Sequence, residues 1–565
     1  ATAAMARAMV RREFDNLDID NLDIAASGGM PALMEGAATC KPDEDGVVLT
    51  AELDAVISTD VAAGEILKVE AAAGSGKSTA LRLYAARRPQ CTTLYLTFTA
   101  AEAREKAADY KRHGLDQVTV STLHALAFAA THDLHHGSVQ DTLALSASQL
   151  ARLTNSSTMD WPAARRAGVR RVLECFVASD ADDLRAQHVE AALESGGLLD
   201  AARAVWRAAC APESGLPLTH DMYLKICCVR PERRATMFAG VALVLLDEAH
   251  DCTPAQLSLA LARRDCGWGA VVVFDFRQRI YGWRRAATES YLRAIDAIAC
   301  IRLSSTWRFG GSLASVVSRL LRHHASDSLT IEGSARCSTE IREVARWPLH
   351  EVCGRACSLT VLARTRATLF AHAMDAMASD VEMAISIGGE DPAGAFAMFG
   401  GRERLLDTFA LFQGRPSHAM LVDDGAAQFV ELGFNAYRAA AESAGLRTAM
   451  EACAAVECYG SALPGLIRKL DKALHSNASC KLVLLSVHEA KGGEWPHVYV
   501  SDELRQFSGL SHEEHAYRLN LVYVAMTRAT RVLFLPTPVV TSWLSPARIV
   551  ILEFICIVVV SKYWS

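Results

Sequence analysis

Short apolar runs punctuate the chain, and segments with apolar residues at helical spacing lie between them. Ile66 to Val69, Val241 to Leu246 and Val271 to Phe274 are apolar or nearly so, without alternation, which predicts strands buried on both faces. Thr92 to Phe98 and Val118 to Leu123 are rich in β-forming residues and read as two more. Leu49 to Val61 and Ala80 to Arg87 carry the helical pattern. Strands alternating with helices in this way predict an α/β fold with a mainly parallel, doubly wound sheet. Such sheets bind ligands beyond the carboxyl ends of their strands, where Thr97-Phe98-Thr99 and His124 fall. Residues 125–240 are rich in Ala and Leu with few β-branched runs, as expected of an inserted helical subdomain.

The two ends of the chain break this pattern. Residues 1–46 hold a tandem pentapeptide, Asp15-Asn16-Leu17-Asp18-Ile19 and Asp20-Asn21-Leu22-Asp23-Ile24, and read as a disordered acidic tail. An acidic, apolar repeat also suits a docking peptide. The N-terminus carries no apolar signal sequence. The run Ile549 to Val560 contains Glu553 and falls short of the ~20 residues a membrane-spanning helix needs. A buried strand or an end artefact is the expectation there, with no membrane partner.

Chemistry concentrates at three strand ends. Val69-Glu70-Ala71-Ala72-Ala73-Gly74-Ser75-Gly76-Lys77-Ser78-Thr79 places a glycine-rich turn and Gly-Lys-Ser-Thr between a strand and a helix, the context of a phosphate-binding P-loop. Ala71 stands at the first glycine of the usual pattern. Backbone N–H groups of Ala73 to Thr79 and the helix N-terminus attract an anion. Lys77 is expected to reach the β- and γ-phosphates, and the Ser78 hydroxyl to bind Mg²⁺. Val241 to Leu246 delivers Asp247-Glu248-Ala249-His250, two adjacent carboxylates at a buried strand tip. Asp247 is then a magnesium residue, and Glu248 polarises the water that attacks the γ-phosphate. After Val271 to Phe274 come Gln278, placed to sense the γ-phosphate, and Tyr281, Trp283 and Arg284, the composition of a single-strand stacking platform.

Composition adds limits rather than identity. With 565 residues, 51% hydrophobic and 22% charged, the chain is globular and long enough for roughly three to four domains. The net charge of -6 means that any nucleic-acid binding comes from local grooves. Sixteen scattered cysteines include no Cys-x-x-Cys pair, so Cys227-Cys228 and Cys353 with Cys357 read as core thiols of a reducing, intracellular compartment.

In order along the chain stand Ala73 to Ser78, Leu96 to Thr99, Ser121 to His124, Asp247 to His250, Gln278 to Arg284, Leu303 to Phe309, Leu362 to Thr365, Ser486 to Glu494 and Asn520 to Ala529. That ordered set resembles the superfamily 1 DNA helicases of the UvrD/Rep type, from about Leu49 to Leu535. Asp247 to Ala255 and Trp307 to Gly310 look most like the F-box DNA helicase branch, although no F-box is recognisable in the N-terminal residues.

The resemblance implies two recA-like P-loop NTPase domains, each a parallel sheet with a helical insertion. The first spans about 47–300 with its insertion near 125–240; the second spans 301–540 with its insertion near 390–480, and 541–565 form a C-terminal tail. It implies ATP and Mg²⁺ as cofactors, and single-stranded and tailed or forked duplex DNA as partners. It also implies movement 3′ to 5′ and, in a eukaryote, the nucleus. Carried over by position, Arg308 and Arg528 become arginine fingers from the second domain, Trp307 packs on adenine and Glu494 meets the ribose. Phe98, His124, Tyr281, Trp283 and His488 line the strand.

The chain departs from that pattern at several places. Glu52-Leu53 occupies the place of an adenine-reading glutamine, and His250 stands where many relatives carry glutamine. Phe274 and Phe276 replace Gly and Pro, Arg285 replaces a glycine, and Gly493 replaces a leucine. An RNA-directed helicase and a non-catalytic strand-binding paralogue are the competing readings.

Overall fold

The computed structural model describes residues 49–537, apart from 135–138, 141, 155–160, 190–196, 215, 262–266, 326, 328, 346, 350–357, 380–382, 389–391, 416–427, 444–445, 476–479, 506 and 508. The acidic pentapeptides, Cys353, Cys357 and the C-terminal apolar run lie outside the described residues.

The first sheet holds β1 (Ile66–Ala71), β2 (Thr93–Thr97), β3 (Val118–Thr122), β4 (Leu243–Leu246), β5 (Gly269–Phe274) and β6 (Ala299–Leu303). Their order is β3-β2-β4-β5-β1-β6, and every neighbouring pair is parallel. Successive side chains of a strand point to opposite faces, and here both faces are covered. Val244 and Leu246 of β4 join the core of the helical insertion, while Leu243 and Leu245 join the core under the other helices. Those helices are α1 (Ala51–Ser58), α2 (Lys77–Ala86) and α3 (Ala100–Arg112). The Thr50 hydroxyl starts α1 by accepting the Leu53 N–H at 3.1 Å. The helix then buries Leu53, Val56 and Ile57.

Between β3 and β4 the described chain is helical, including α4 (Leu123–Ala130), α5 (Ala163–Ala178) and α6 (His220–Val229). Lys225 of α6 is fully buried there, a costly position for an ammonium. Its Nζ donates to the Ser179 and Ala181 carbonyls, at 2.6 Å each, just past the end of α5. Burial also pushes its pKa down.

The second sheet runs β7-β12-β11-β8-β10-β9, from β7 (Glu340–Val344), β8 (Leu359–Ala363), β9 (Ile385–Ile387), β10 (Leu482–Ser486), β11 (Trp495–Val500) and β12 (Ala529–Pro536). β8 pairs in parallel with β10 and β11, and β9 with β10. α7 (Arg366–Ala378) and the helices between β9 and β10 cover it, packing Phe370, Met374, Val456 and Ile467 against Leu359, Val361 and Leu484. The protein is thus α/β, with two recA-like parallel sheets.

By contacts, one compact unit comprises 42–340 with 507–530, and the other 341–506 with 531–542. The former includes α8 (His512–Met526). This partition differs from the sequence expectation of a division near residue 300, because β6 is an edge strand of the first sheet and carries the following forty residues with it.

Candidate active site and strand groove

The P-loop turns on two glycines in the left-handed region, Gly74 (φ +72°) and Gly76 (φ +83°). A Cβ on Gly74 would stand 2.6 Å from both the Arg308 Cβ and the Thr306 Oγ1, so only glycine fits. Ala71 needs no such freedom, since it is the last residue of β1. Because β6 pairs beside β1 up to Ala71 and Leu303, the chain after β6 emerges along the P-loop. There the Thr306 hydroxyl donates to the Ala73 carbonyl at 2.9 Å, and the Trp307 N–H to the Gly74 carbonyl at 2.8 Å. The Trp307 indole, 37% exposed, lies against Gly76.

Asp247 leaves β4 fully enclosed. Its Oδ2 accepts from the Tyr95 hydroxyl at 2.6 Å and the Ser78 hydroxyl at 3.1 Å, and its Oδ1 from the Glu248 N–H at 2.9 Å. Burial, and then the charge of Glu248, push the Asp247 carboxyl above the usual range. Glu248 adopts φ +51°, a strained conformation for a residue with a Cβ. Its Oε1 stands 3.5 Å from the Lys77 ammonium and its Oε2 3.1 Å from His250 Nε2.

Asp275, just past β5, gathers the neighbouring groups. Its N–H donates to His250 Nδ1 at 3.0 Å. Its carboxylate accepts from Gln278 at 2.7 Å, Tyr523 at 3.1 Å and Arg277 at 3.3 Å. The Tyr523 hydroxyl in turn accepts the Ala73 N–H at 2.9 Å, which joins α8 to the P-loop.

Arg308 and Arg528 lie in this same compact unit, whereas the resemblance assigns them to the second domain. The β1–β6 pairing carries Arg308 there, and α8 carries Arg528. Arg308 Nη1 donates to the Thr527 carbonyl at 3.4 Å. Arg528, 1% exposed, donates from Nε to the Val524 carbonyl at 3.0 Å and from Nη2 to the Thr527 hydroxyl at 3.2 Å. Burial, and then the positive charge of Arg308, pull its pKa down to about 9. Two close guanidiniums in a dry site suit a polyanion.

Alongside runs a groove. Phe98 stacks on Tyr281 with ring centroids 6.0 Å apart and planes 11° from parallel. Arg284 lies over Tyr281 and Trp283, at 5.5 and 4.8 Å from the ring centres. Trp283 is 66% exposed, which rules out a core role. Phe98, Trp283 and Arg284 open into a cavity of about 500 Å³ shared with His124, Arg170 and Asp221 from the insertion side. His124 stands 3.3 Å from Asp221. His488, half-buried, and Glu494, exposed, belong to the other unit, on the turn between β10 and β11. Gly493, also on that turn, has the Trp495 ring where a side chain would stand.

The structure therefore brings Lys77, Ser78, Asp247, Glu248, Gln278, Trp307, Arg308 and Arg528 into one unit, with Phe98, His124, Tyr281 and Trp283 beside them. Sequence reading gave no role to Tyr95, Tyr523, Asp275 or Arg277. Tyr95 looks like one more apolar position of a strand; the carboxylate it serves lies 152 residues away. Among the described residues, the one cluster with metal-ligand spacing is Glu248, His250 and Asp251, without a cysteine; Cys227 and Cys228 are free and buried.

A P-loop closed by Asp-Glu at the neighbouring strand tip defines a nucleotide-triphosphate site on a recA-like sheet. Residues 481–535 match the UvrD-like helicase C-terminal domain. F-box DNA helicase 1 of Gallus gallus is 25% identical over 536 residues, covering 86% of this chain and 49% of the relative. F-box DNA helicase protein 1 of Schizosaccharomyces pombe is 25% identical over 531 residues, covering 86% of this chain and 57% of the relative. The chain thus spans about half the length of the curated relatives it matches. It belongs to the UvrD-like superfamily 1 proteins, near the F-box DNA helicase branch.

Proposed function

We propose that the chain is an ATP-driven motor that moves 3′ to 5′ on single-stranded DNA and parts tailed or forked duplexes during repair, recombination or replication. One observation carries this reading. The buried set Lys77, Asp247, Glu248, Arg308 and Arg528 shares a unit with a groove whose Trp283 is exposed for stacking. The relatives' names as DNA helicases support the substrate class.

Lys77, Arg308 and Arg528 hold the triphosphate, and Glu248 takes the proton of the attacking water. Gln278 senses the γ-phosphate from its bond to Asp275. Trp307 stacks on the base, and Glu494 meets the ribose. Phe98, His124, Tyr281, Trp283 and His488 contact the strand. Magnesium fits the donor set. The Asp247 carboxyl is buried among neutral hydroxyls with its pKa raised by burial and by Glu248, so a divalent cation supplies the missing countercharge. Ser78 and Asp247 would hold it, and when bound it would neutralise phosphate oxygens.

The test compares ATP hydrolysis with and without single-stranded DNA, and unwinding of 3′- against 5′-tailed duplexes. Hydrolysis should rise with DNA, and the 3′-tailed duplex should open first. Lys77→Ala should lose nucleotide affinity, and Glu248→Gln should bind ATP without turnover. Wild-type-like hydrolysis by Glu248→Gln would overturn the assignment, and stimulation by RNA alone would replace DNA with RNA.

A further inference from the structure

His250 has no exposed surface, and both its ring nitrogens are engaged. Nδ1 accepts the Asp275 N–H at 3.0 Å and so carries no proton. A neutral ring then has its proton on Nε2, which donates to Glu248 Oε2 at 3.1 Å. Asp251 Oδ1 is farther, at 3.8 Å. The other oxygen of Glu248 faces Lys77. Glu248 also sits in a left-handed backbone conformation that costs a residue with a Cβ ~1–3 kcal/mol, so its position depends on what grips the side chain.

The far end of that grip is the residue that opens the strand-platform loop. Asp275 receives Gln278 and Tyr523 as well as Arg277, and Phe276 to Arg284 follow it directly. His250 is therefore the one-ring link between that loop and the carboxylate proposed as the base.

We propose that His250 is a positioning residue: it fixes Glu248 for water activation and ties that position to the Asp275–Trp283 loop, so that strand-stimulated turnover runs through it. The inference rests on the proposed ATPase, and it assigns a role to the position where this chain replaces glutamine. An amide offers one acceptor and one donor, so glutamine can reproduce both bonds; leucine, similar in bulk, can make neither.

The experiment measures steady-state ATP hydrolysis on single-stranded DNA for wild type, His250→Gln and His250→Leu, with thermal melting of each. His250→Leu should lose about 100-fold in kcat, as a misplaced catalytic group does, with KM for ATP changed less than about threefold. His250→Gln should stay within about fivefold of wild type. A second comparison guards against misfolding of the leucine variant. Added to Glu248→Gln, His250→Leu should lower the residual rate less than about twofold, since residues acting as one unit are non-additive. Near-wild-type kcat in His250→Leu, equal loss in both variants, or full additivity with Glu248→Gln would each overturn the proposal. A wild-type protein that hydrolyses no ATP at all would instead overturn the function on which it rests.

Discussion

Arg528 shows at the scale of one residue how the site trades stability for affinity. Its pKa lies near 9 in the folded chain, against 12.5 in an unfolded one, because it is buried and faces Arg308. Between those values the unfolded chain binds more protons, so stability should rise with pH across that window, while at neutral pH the full cost is present. A polyanion between the two guanidiniums removes the cost. We therefore expect ATP to raise the melting temperature of the wild type. Arg528→Met should melt a few degrees higher without ligand, at ~2–4 °C per kcal/mol for a domain of this size. It should lose most of the ATP-dependent rise and ~10³-fold or more in turnover. Scanning calorimetry with and without nucleotide checks all three. A lower melting point without ligand would mean that the bonds to Val524 and Thr527 outweigh the charge repulsion.

At the scale of elements, the loop from Phe276 to Arg285 and the helix α1 each make a separate prediction. The loop presents Trp283 to solvent, away from the phosphate-binding residues. Trp283→Ala should weaken strand binding by the ~1–3 kcal/mol of one stacked base and leave hydrolysis without DNA within about twofold of wild type. Equal loss of both rates would show that Trp283 supports the fold instead. For α1, both Glu52 oxygens are taken by Ser304, at 2.8 Å from its N–H and 2.6 Å from its hydroxyl, and Leu53 is buried. Neither residue is placed to read an adenine edge. What remains is Trp307, and stacking hardly distinguishes bases. GTP should then support DNA-stimulated hydrolysis within about tenfold of ATP in kcat/KM, ~1.4 kcal/mol. A hundredfold preference for ATP would reveal a reader elsewhere.

The same elements show what was legible beforehand. β1, β4 and β5 could be read because strands covered on both faces keep unbroken apolar runs. The P-loop and Asp247-Glu248 could be read because their spacing to those strands is local. The tie from Glu52 to Ser304 spans 252 residues and that from Ala73 to Tyr523 spans 450, and neither leaves a periodic trace. His250 stood out only as a departure; its role needed the position of Asp275, which only folding supplies.

For the whole molecule, the decisive feature is that the P-loop unit is discontinuous. The chain leaves it near residue 340, builds most of the second sheet, and returns at 507 to lay down α8 and Arg528. α8 buries Leu519, Leu521, Val522, Tyr523, Val524, Ala525 and Met526, so without it the unit exposes the apolar surface that these residues cover. It also loses the Tyr523 hydroxyl that joins Ala73 to Asp275, and the Arg528 guanidinium. A chain stopped at Arg505 keeps every P-loop residue and still should neither bind ATP nor stay soluble, because the end of the sequence completes a site begun at its start. Full-length Tyr523→Phe separates the two losses. It keeps the apolar packing and removes only the hydroxyl, leaving the Ala73 N–H and an Asp275 oxygen each short of one buried partner, at ~1–3 kcal/mol for each unmet group. We expect it to fold, to melt below wild type, and to bind ATP about tenfold more weakly, since the P-loop backbone is then less firmly held. ATP titrations of the two proteins, read by melting temperature, decide the matter. Full ATP affinity in the chain stopped at Arg505 would show that the residues before α8 form the nucleotide site unaided.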